Sequence, residues 1–170
     1  ALIAYQTAWL KHYYPVDFMA AVLSADMQNT DKVVINIEEC REMDIAISPP
    51  NVNKGGFRFV ADSDKSIIYG LGAIKGVGEG PVEAIVNSRR EDGQFDDLYD
   101  LCERVDGRKV NKRAIEALIG CGALDELACF DSQNEQLKSI DYRRALLFAN
   151  QEDAARTAEQ KTRNEDGGLM

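Results

Sequence analysis

Between residues 70 and 80 the chain reads GLGAIKGVGEG, with glycines at 70, 72, 76, 78 and 80 and one lysine, Lys75, among them. Glycine loses more conformational entropy on ordering than any other residue, so this density marks positive φ or a close approach of main chain to another group. That group is a phosphate, a dinucleotide or a neighbouring helix. Backbone N–H groups at a helix N-terminus bind phosphate oxygens, because they lack intrahelical partners and the helix dipole favours an anion. A second stretch suits the same chemistry. RVDGRKVNKR, residues 104–113, sets Arg104, Arg108, Lys109, Lys112 and Arg113 against Asp106 alone. The whole chain carries a formal net charge of −9, which repels nucleic acid at long range and argues against a non-specific polyanion binder.

Other chemistries fit less well. Gly70 and Gly72 follow the β-type IIY and could open a dinucleotide fingerprint, which requires a second strand ending in an acid about 20 residues on. The residues there, SRREDGQFDD, contain no strand, and no Gly-Lys-Ser/Thr triplet follows for a Walker loop. Asp62 and Asp64 form a D-x-D, either a metal-binding carboxylate pair or a solvated turn; no third ligand is near in sequence, which favours the turn. Cys40, Cys102, Cys121 and Cys129 have no C-x-x-C spacing and one histidine, His12, beside them. They are expected to be reduced, mostly buried thiols rather than zinc ligands, with His12 a solvated helix residue.

The elements that must position the glycines follow from periodicity. Apolar residues at helical spacing predict a helix over Leu2–Tyr13 ended by Pro15, and a second over about Val16–Ala25 with Phe18, Met19, Val22 and Leu23 inward. A third, capped at Asn29 or Thr30, turns Val33, Val34, Ile37 and Cys40 inward. SPPNVNKGG, residues 48–56, is the best internal boundary. FRFVA and SIIYG flank the turn DSDK as a small hairpin. After the glycines, Gly80 and Pro81 open a helix with Val82, Ile85 and Val86 on one face and Arg89 and Arg90 in its last turn. Another amphipathic helix carries Phe95, Leu98, Leu101, Cys102 and Val105. Asn111–Ile119 is helical, breaks at Gly120-Cys121-Gly122 and resumes. Ser132–Thr162 is helix-permissive, and its apolar residues thin out after Phe148, so fraying or disorder is expected before NEDGGLM. The class is mainly α: a helical N-terminal segment, a small β-hairpin, a tandem helix-hairpin-helix region and a C-terminal helix.

Gly76-Val77-Gly78 matches a tight hairpin between a short helical turn, Ala73–Lys75, and the helix beginning near Gly80. Val77 plugs the core while the flanking glycines leave N–H groups uncovered, a nest for a phosphate oxygen. Gly120-Cys121-Gly122 repeats the arrangement. Two such hairpins would sit on successive phosphates of a duplex without reading bases. The alternative is that the glycines only permit close helix packing.

Composition bounds the rest. Hydrophobic residues make up 45% and charged residues 29% of the 170, the values of a globular protein. No apolar run approaches the roughly 20 residues that span a bilayer, and the opening residues lack the basic start and cleavage site of a signal peptide. They begin as if in mid-helix, without an initiator Met, which suggests a piece of a longer protein.

The stretches AYQTAWLKHYYPVDFMAAVLSADM, PPNVN, YGLGAIKGVGEGPVEAIVNSR, FDDLYDLCERVD and KRAIEALIGCGALDEL together resemble the alpha subunits of bacterial DNA polymerase III, the C-family replicative polymerases. The likeness covers roughly residues 1–127 and weakens beyond. It implies that 1–50 are the C-terminal part of a fingers domain, that 51–127 are a helix-hairpin-helix region gripping duplex DNA behind the active site, and that 128–170 are a helical linker toward a clamp-binding segment. Lys75, Gly76, Val77, Gly78, Glu79 and Gly80 match the family's hairpin, whereas Gly120 and Gly122 match only the end of a following helix. Arg108, Lys109, Lys112 and Arg113 are expected as auxiliary phosphate contacts. The resemblance implies a non-catalytic part of a DNA-directed DNA polymerase (a nucleotidyltransferase of DNA replication) in the bacterial cytoplasm, with no membrane contact. The palm carboxylates that hold Mg²⁺ for phosphoryl transfer are not found in this sequence, so no catalytic residue, metal ligand or cofactor is expected here, and Mg²⁺ belongs to the parent active site. The implied partners are primer-template duplex, the other domains of the alpha subunit, the sliding clamp and other replisome subunits. The rival reading is a structural helical connector without DNA contact, favoured by the net charge and disfavoured by the basic stretch.

Overall fold

The computed structural model describes residues 1–127 and 140–167. Helix α1 spans Leu2–Tyr13 and α2 spans Pro15–Ala25, with Pro15 at the first position of the second helix, where its missing N–H costs nothing. Helix α3, Thr30–Glu42, is capped by Asn29, whose side chain accepts from the Lys32 N–H at 3.2 Å. It ends at Met43, followed by Asp44 at φ 57°, and the Ile45 N–H returns to the Cys40 carbonyl at 2.9 Å.

The expected hairpin forms from β2, Val60–Ser63, and β3, Ser66–Ile68, but the FRF part of its first arm is not strand. A third strand, β1 at Ala46–Ser48, pairs in parallel with β3 and gives the order β1-β3-β2. Three residues are too few to show a strand period, so the sequence did not reveal it. The sheet therefore reaches across the Pro/Asn/Gly breaker.

A 3₁₀ turn at Leu71–Ala73 leads into α4, Glu79–Asp92, then α5, Leu98–Arg104, and α6, Lys112–Cys121. A second 3₁₀ turn covers Asp125–Leu127, and α7 covers Ile140–Gly167. Helix α4 begins two residues before Pro81, and Val34 of α3 is exposed rather than inward. Helix α7 remains regular to Gly167 instead of fraying before NEDGG. Leu147, Gln151 and Ala154 are buried on one side of it, at a helical spacing that is short on apolar bulk and so invisible to a hydrophobicity reading. The expected helical stretch over 132–139 lies outside the described residues.

Buried side chains form two clusters. One joins Val16, Met19, Leu23, Val33, Cys40 and Ile45 to Phe59 and Ile67 of the sheet region. The other joins Val52, Leu71, Val77, Val82 and Ile85 to the inner faces of α5, α6 and α7. The loop 51–56 is fastened to the second cluster. Asn53 and Phe95 exchange two hydrogen bonds of 3.0 and 2.8 Å, the Val52 N–H donates to the Ala123 carbonyl at 3.0 Å, and Arg89 donates to the Val52 and Gly55 carbonyls at 2.7 and 2.9 Å.

Candidate nucleic-acid interface

The five glycines near residue 75 fall into two kinds. A Cβ on Gly70 would lie 2.8 Å from the Arg58 and Phe59 backbone, and one on Gly72 would lie 2.5 Å from the Phe57 ring, so these two permit close packing. Gly76 has φ +94°, a turn conformation that strains any L side chain. Gly78 and Gly80 have no such reason. Both have ordinary φ; a Cβ on Gly78 would meet only Pro81 Cδ at 3.8 Å, and one on Gly80 would meet nothing within 4 Å beyond its chain neighbours Glu79 and Pro81. Their bare surface faces open space.

Around them the hairpin is built as the sequence suggests. Val77 is buried and its N–H donates to the Ile74 carbonyl at 3.1 Å, closing the turn. Gly78 caps α4 without a side chain, and among the described residues the N–H groups of Gly78, Glu79 and Gly80 donate to no protein acceptor. Pro81 has no N–H, and the Val82 N–H reaches the Gly78 carbonyl at 3.4 Å. The result is a cluster of unused donors at the positive end of a 14-residue helix. Lys75 is exposed beside it and makes no ion pair among the described residues. The Glu79 side chain is also exposed, in the first turn of α4. Ile74–Glu79 line a cleft of about 550 Å³ together with Met27, Gln28, Thr30 and Phe57.

The basic stretch forms the turn between α5 and α6. The Asp106 carbonyl accepts from the Lys109 and Val110 N–H groups, both at 2.9 Å, and Asp106 Oδ1 accepts from the Arg108 N–H at 2.9 Å. Val110 is buried as Val77 is, and Asn111 caps α6 by accepting from the Ala114 N–H at 3.0 Å. Each turn thus has a basic residue, one intervening residue, a buried valine and a helix cap: Lys75-Gly76-Val77-Gly78 and Arg108-Lys109-Val110-Asn111. This repeat was present in the sequence but masked by the glycine pattern, which pointed to residues 120–122 instead. Gly122 is the left-handed cap that closes α6, with φ 88° and its N–H on the Ile119 carbonyl at 3.0 Å. Within the described residues the second Gly-x-Gly ends a helix and does not open one.

The basic residues have different duties. Arg104 is structural: its guanidinium lies 4.4 Å from the Phe95 ring centroid and donates to the carbonyls of Ser88, Gly93 and Gln94. Arg108, Lys109 and Arg113 are exposed and without ion pairs among the described residues. Lys112 is exposed but bound, with Nζ 2.7 Å from Glu152 Oε1 of α7. The hydrogen bond holds the Lys112 amine above its ordinary value and the Glu152 carboxyl below its own. Lys112 and Arg113 occupy the first turn of α6, where positive charge opposes the helix dipole. That placement weakens the helix and suits an external anion. Gly76 lies against α6, since a Cβ there would lie 3.8 Å from Ala117.

Asp62 and Asp64 are exposed around the β2-β3 turn, and among the described residues no group of three or more His, Cys, Asp or Glu side chains is placed to hold a metal ion. None of the helices, among the described residues, is long and apolar enough to cross a membrane.

A family model for the helix-hairpin-helix motif matches residues 44–137. The chain is 56% identical over 173 aligned residues to DNA polymerase III subunit alpha of Pseudomonas aeruginosa, covering 99% of this chain and 15% of that protein. Against the subunit of the same name from Vibrio cholerae it is 50% identical over 160 residues, and against that of Escherichia coli 50% over 146, covering 94% and 83% of this chain and 13% of each relative. The chain therefore spans about 15% or less of the length of these relatives.

Proposed function

The chain belongs to the helix-hairpin-helix family and is homologous to a segment of bacterial DNA polymerase III alpha subunits, and from that premise we propose that it grips the backbone of primer-template duplex without reading bases. Lys75 and the N–H groups of Gly78, Glu79 and Gly80 take one phosphate, with Gly76 and Val77 shaping the turn. Arg108, Lys109 and Arg113 take a neighbouring one, with Lys112 beside them. The observation that carries this reading is the pair Gly78 and Gly80, bare where nothing in the fold packs against them. Sequence-independent contact suits a replicase, which must translocate over every template.

In the parent enzyme this segment acts in DNA replication alongside a palm that supplies Mg²⁺-dependent nucleotidyl transfer; the segment itself is non-catalytic. Residues 1–50 serve as the rear of the fingers, 51–127 as the duplex grip and 128–170 as the link toward the clamp-binding part, in the bacterial cytoplasm, with the sliding clamp and other replisome subunits reached through regions beyond it. Against this stands the connector reading, in which the turns serve only to pack helices. Gly70 and Gly72 fit that role, whereas Gly78 and Gly80 do not.

Anisotropy titration of a fluorescent primer-template duplex across a salt series tests the proposal. Neutralising one or two phosphates gives a log-log slope of about −0.9 to −1.8. Lys75→Ala is expected to weaken binding to all sequences alike and to reduce the slope by about 0.9. Binding that depends on base sequence, or a folded chain whose affinity ignores Lys75 and Gly78→Val, overturns it.

A further inference from the structure

We propose that α7 competes with the duplex for the turn between α5 and α6, with the Glu152 carboxylate occupying Lys112 in place of a backbone phosphate. The inference rests on the phosphate-gripping reading above and adds an internal regulator to it. Lys112 is the first residue of α6, placed against the helix dipole where an anion is wanted. The anion it meets belongs to the chain: Glu152 Oε1 lies 2.7 Å from its Nζ. The match is held in register by the preceding residue. Gln151 is buried, and its Nε2 donates to the Lys112 main-chain carbonyl at 3.1 Å. Leu147 and Ala154, buried on the same side of α7, fix the helix along α5 and α6.

With Glu152 on Lys112, an approaching phosphate meets a cation already neutralised and a like charge beside it, so the carboxylate weakens the phosphate's hold on that ammonium group. The pair is exposed on both sides, with side chains 60% and 62% accessible. Such a bond is weak in water and yields readily to a polyanion. Groove walls formed by the turn and α7 carry Arg108 and Arg156 as well as Asp106 and Glu159, so the surrounding charge is mixed and the local ion pair decides whether Lys112 is available. The duplex grip is thereby set below its full strength until the Glu152 side chain gives way.

The test is a double-mutant cycle on the intact chain, read by anisotropy with the same fluorescent duplex across a salt series, with helicity monitored by circular dichroism. Glu152→Gln is expected to tighten binding about two- to fivefold at low salt and to steepen the log-log slope by about 0.9, the signature of one more neutralised phosphate. In a Lys112→Ala background the same change is expected to do nothing. Glu159→Gln removes an equal charge from the same helix at an exposed position without an ion pair among the described residues, and is expected to leave the slope unchanged. An equal gain from Glu159→Gln, or a gain that persists without Lys112, overturns the competition and leaves only net charge. Lys75→Ala separates the two proposals. If it weakens binding while the cycle shows no coupling, only the role of α7 falls; if neither it nor any other variant alters binding, or no form binds, both fall.

Discussion

At the scale of single residues, the same amino acid serves three different ends within eleven positions. Gly72 makes room for a ring, Gly76 supplies a positive φ, and Gly80 does neither. The consequences of adding a methyl group therefore differ. Gly76→Ala is expected to cost about 1–2 kcal/mol, because the strained backbone persists whatever space surrounds it. Gly80→Ala is expected to change stability by less than about 1 kcal/mol, since the cheaper ordering of Ala in a helix is offset by the crowding of its Cβ against the ring of Pro81, which follows it. Denaturant unfolding measures both. On the proposed function, Gly80→Ala, though folded about as stably, binds duplex more weakly. A folded variant that kept its affinity would indicate that the bare position serves no ligand.

At the scale of elements, α1 and α6 show how little amphipathic spacing says about burial. Both carry apolar residues at helical intervals. Helix α6 buries Ala114, Ile115, Leu118 and Ile119, whereas α1 buries nothing and exposes Leu2, Ile3, Tyr5 and Tyr13. Leu118→Ala is expected to cost about 2–5 kcal/mol through the cavity it leaves, and Ile3→Ser less than about 0.5 kcal/mol. Thermal or denaturant melts of the two variants check the contrast. Element boundaries were legible where a side chain marks them, as at Asn29. They were misplaced where none does, as at Gly78, because a glycine cap has no signature apart from other glycines.

At the scale of the molecule, the two hydrophobic clusters are joined through shared backbone. Phe57 packs toward the second cluster and Phe59 lies in the first; Tyr69 lies with the first and Leu71 with the second. The segments are bonded to each other, with the Leu71 N–H on the Gly56 carbonyl and the Gly72 N–H on the Phe57 carbonyl, both at 2.9 Å. Neither cluster can open without disturbing those bonds, so a single unfolding transition is expected. Cys40 in the first cluster and Cys102 in the second report on it. Burial pushes each thiol from its ordinary 9.0 up to about 11. Both are expected to resist alkylation in the folded chain and to become reactive at the same denaturant concentration. Reaction of one well before the other would separate the clusters. Because each thiol holds its proton longer when folded, the folded state binds more protons between those values, and stability falls as pH climbs from about 9 to about 11.

The sequence by itself determined the helical class and the positions of most helices, and it singled out the turn from Lys75 to Gly80, because periodicity, caps and glycine density are local properties. It also determined the family, because an ordered run of motifs is specific without any geometry. Only the tertiary structure decided which glycines are bare and which are packed, since that depends on neighbours such as Phe57 that come from elsewhere in the chain. Tertiary structure alone also brought Ala46–Ser48 beside Ser66–Ile68 and Glu152 onto Lys112. These pairings join residues far apart in sequence through backbone hydrogen bonds and a single charge contact, and neither leaves a periodic trace in the order of residues.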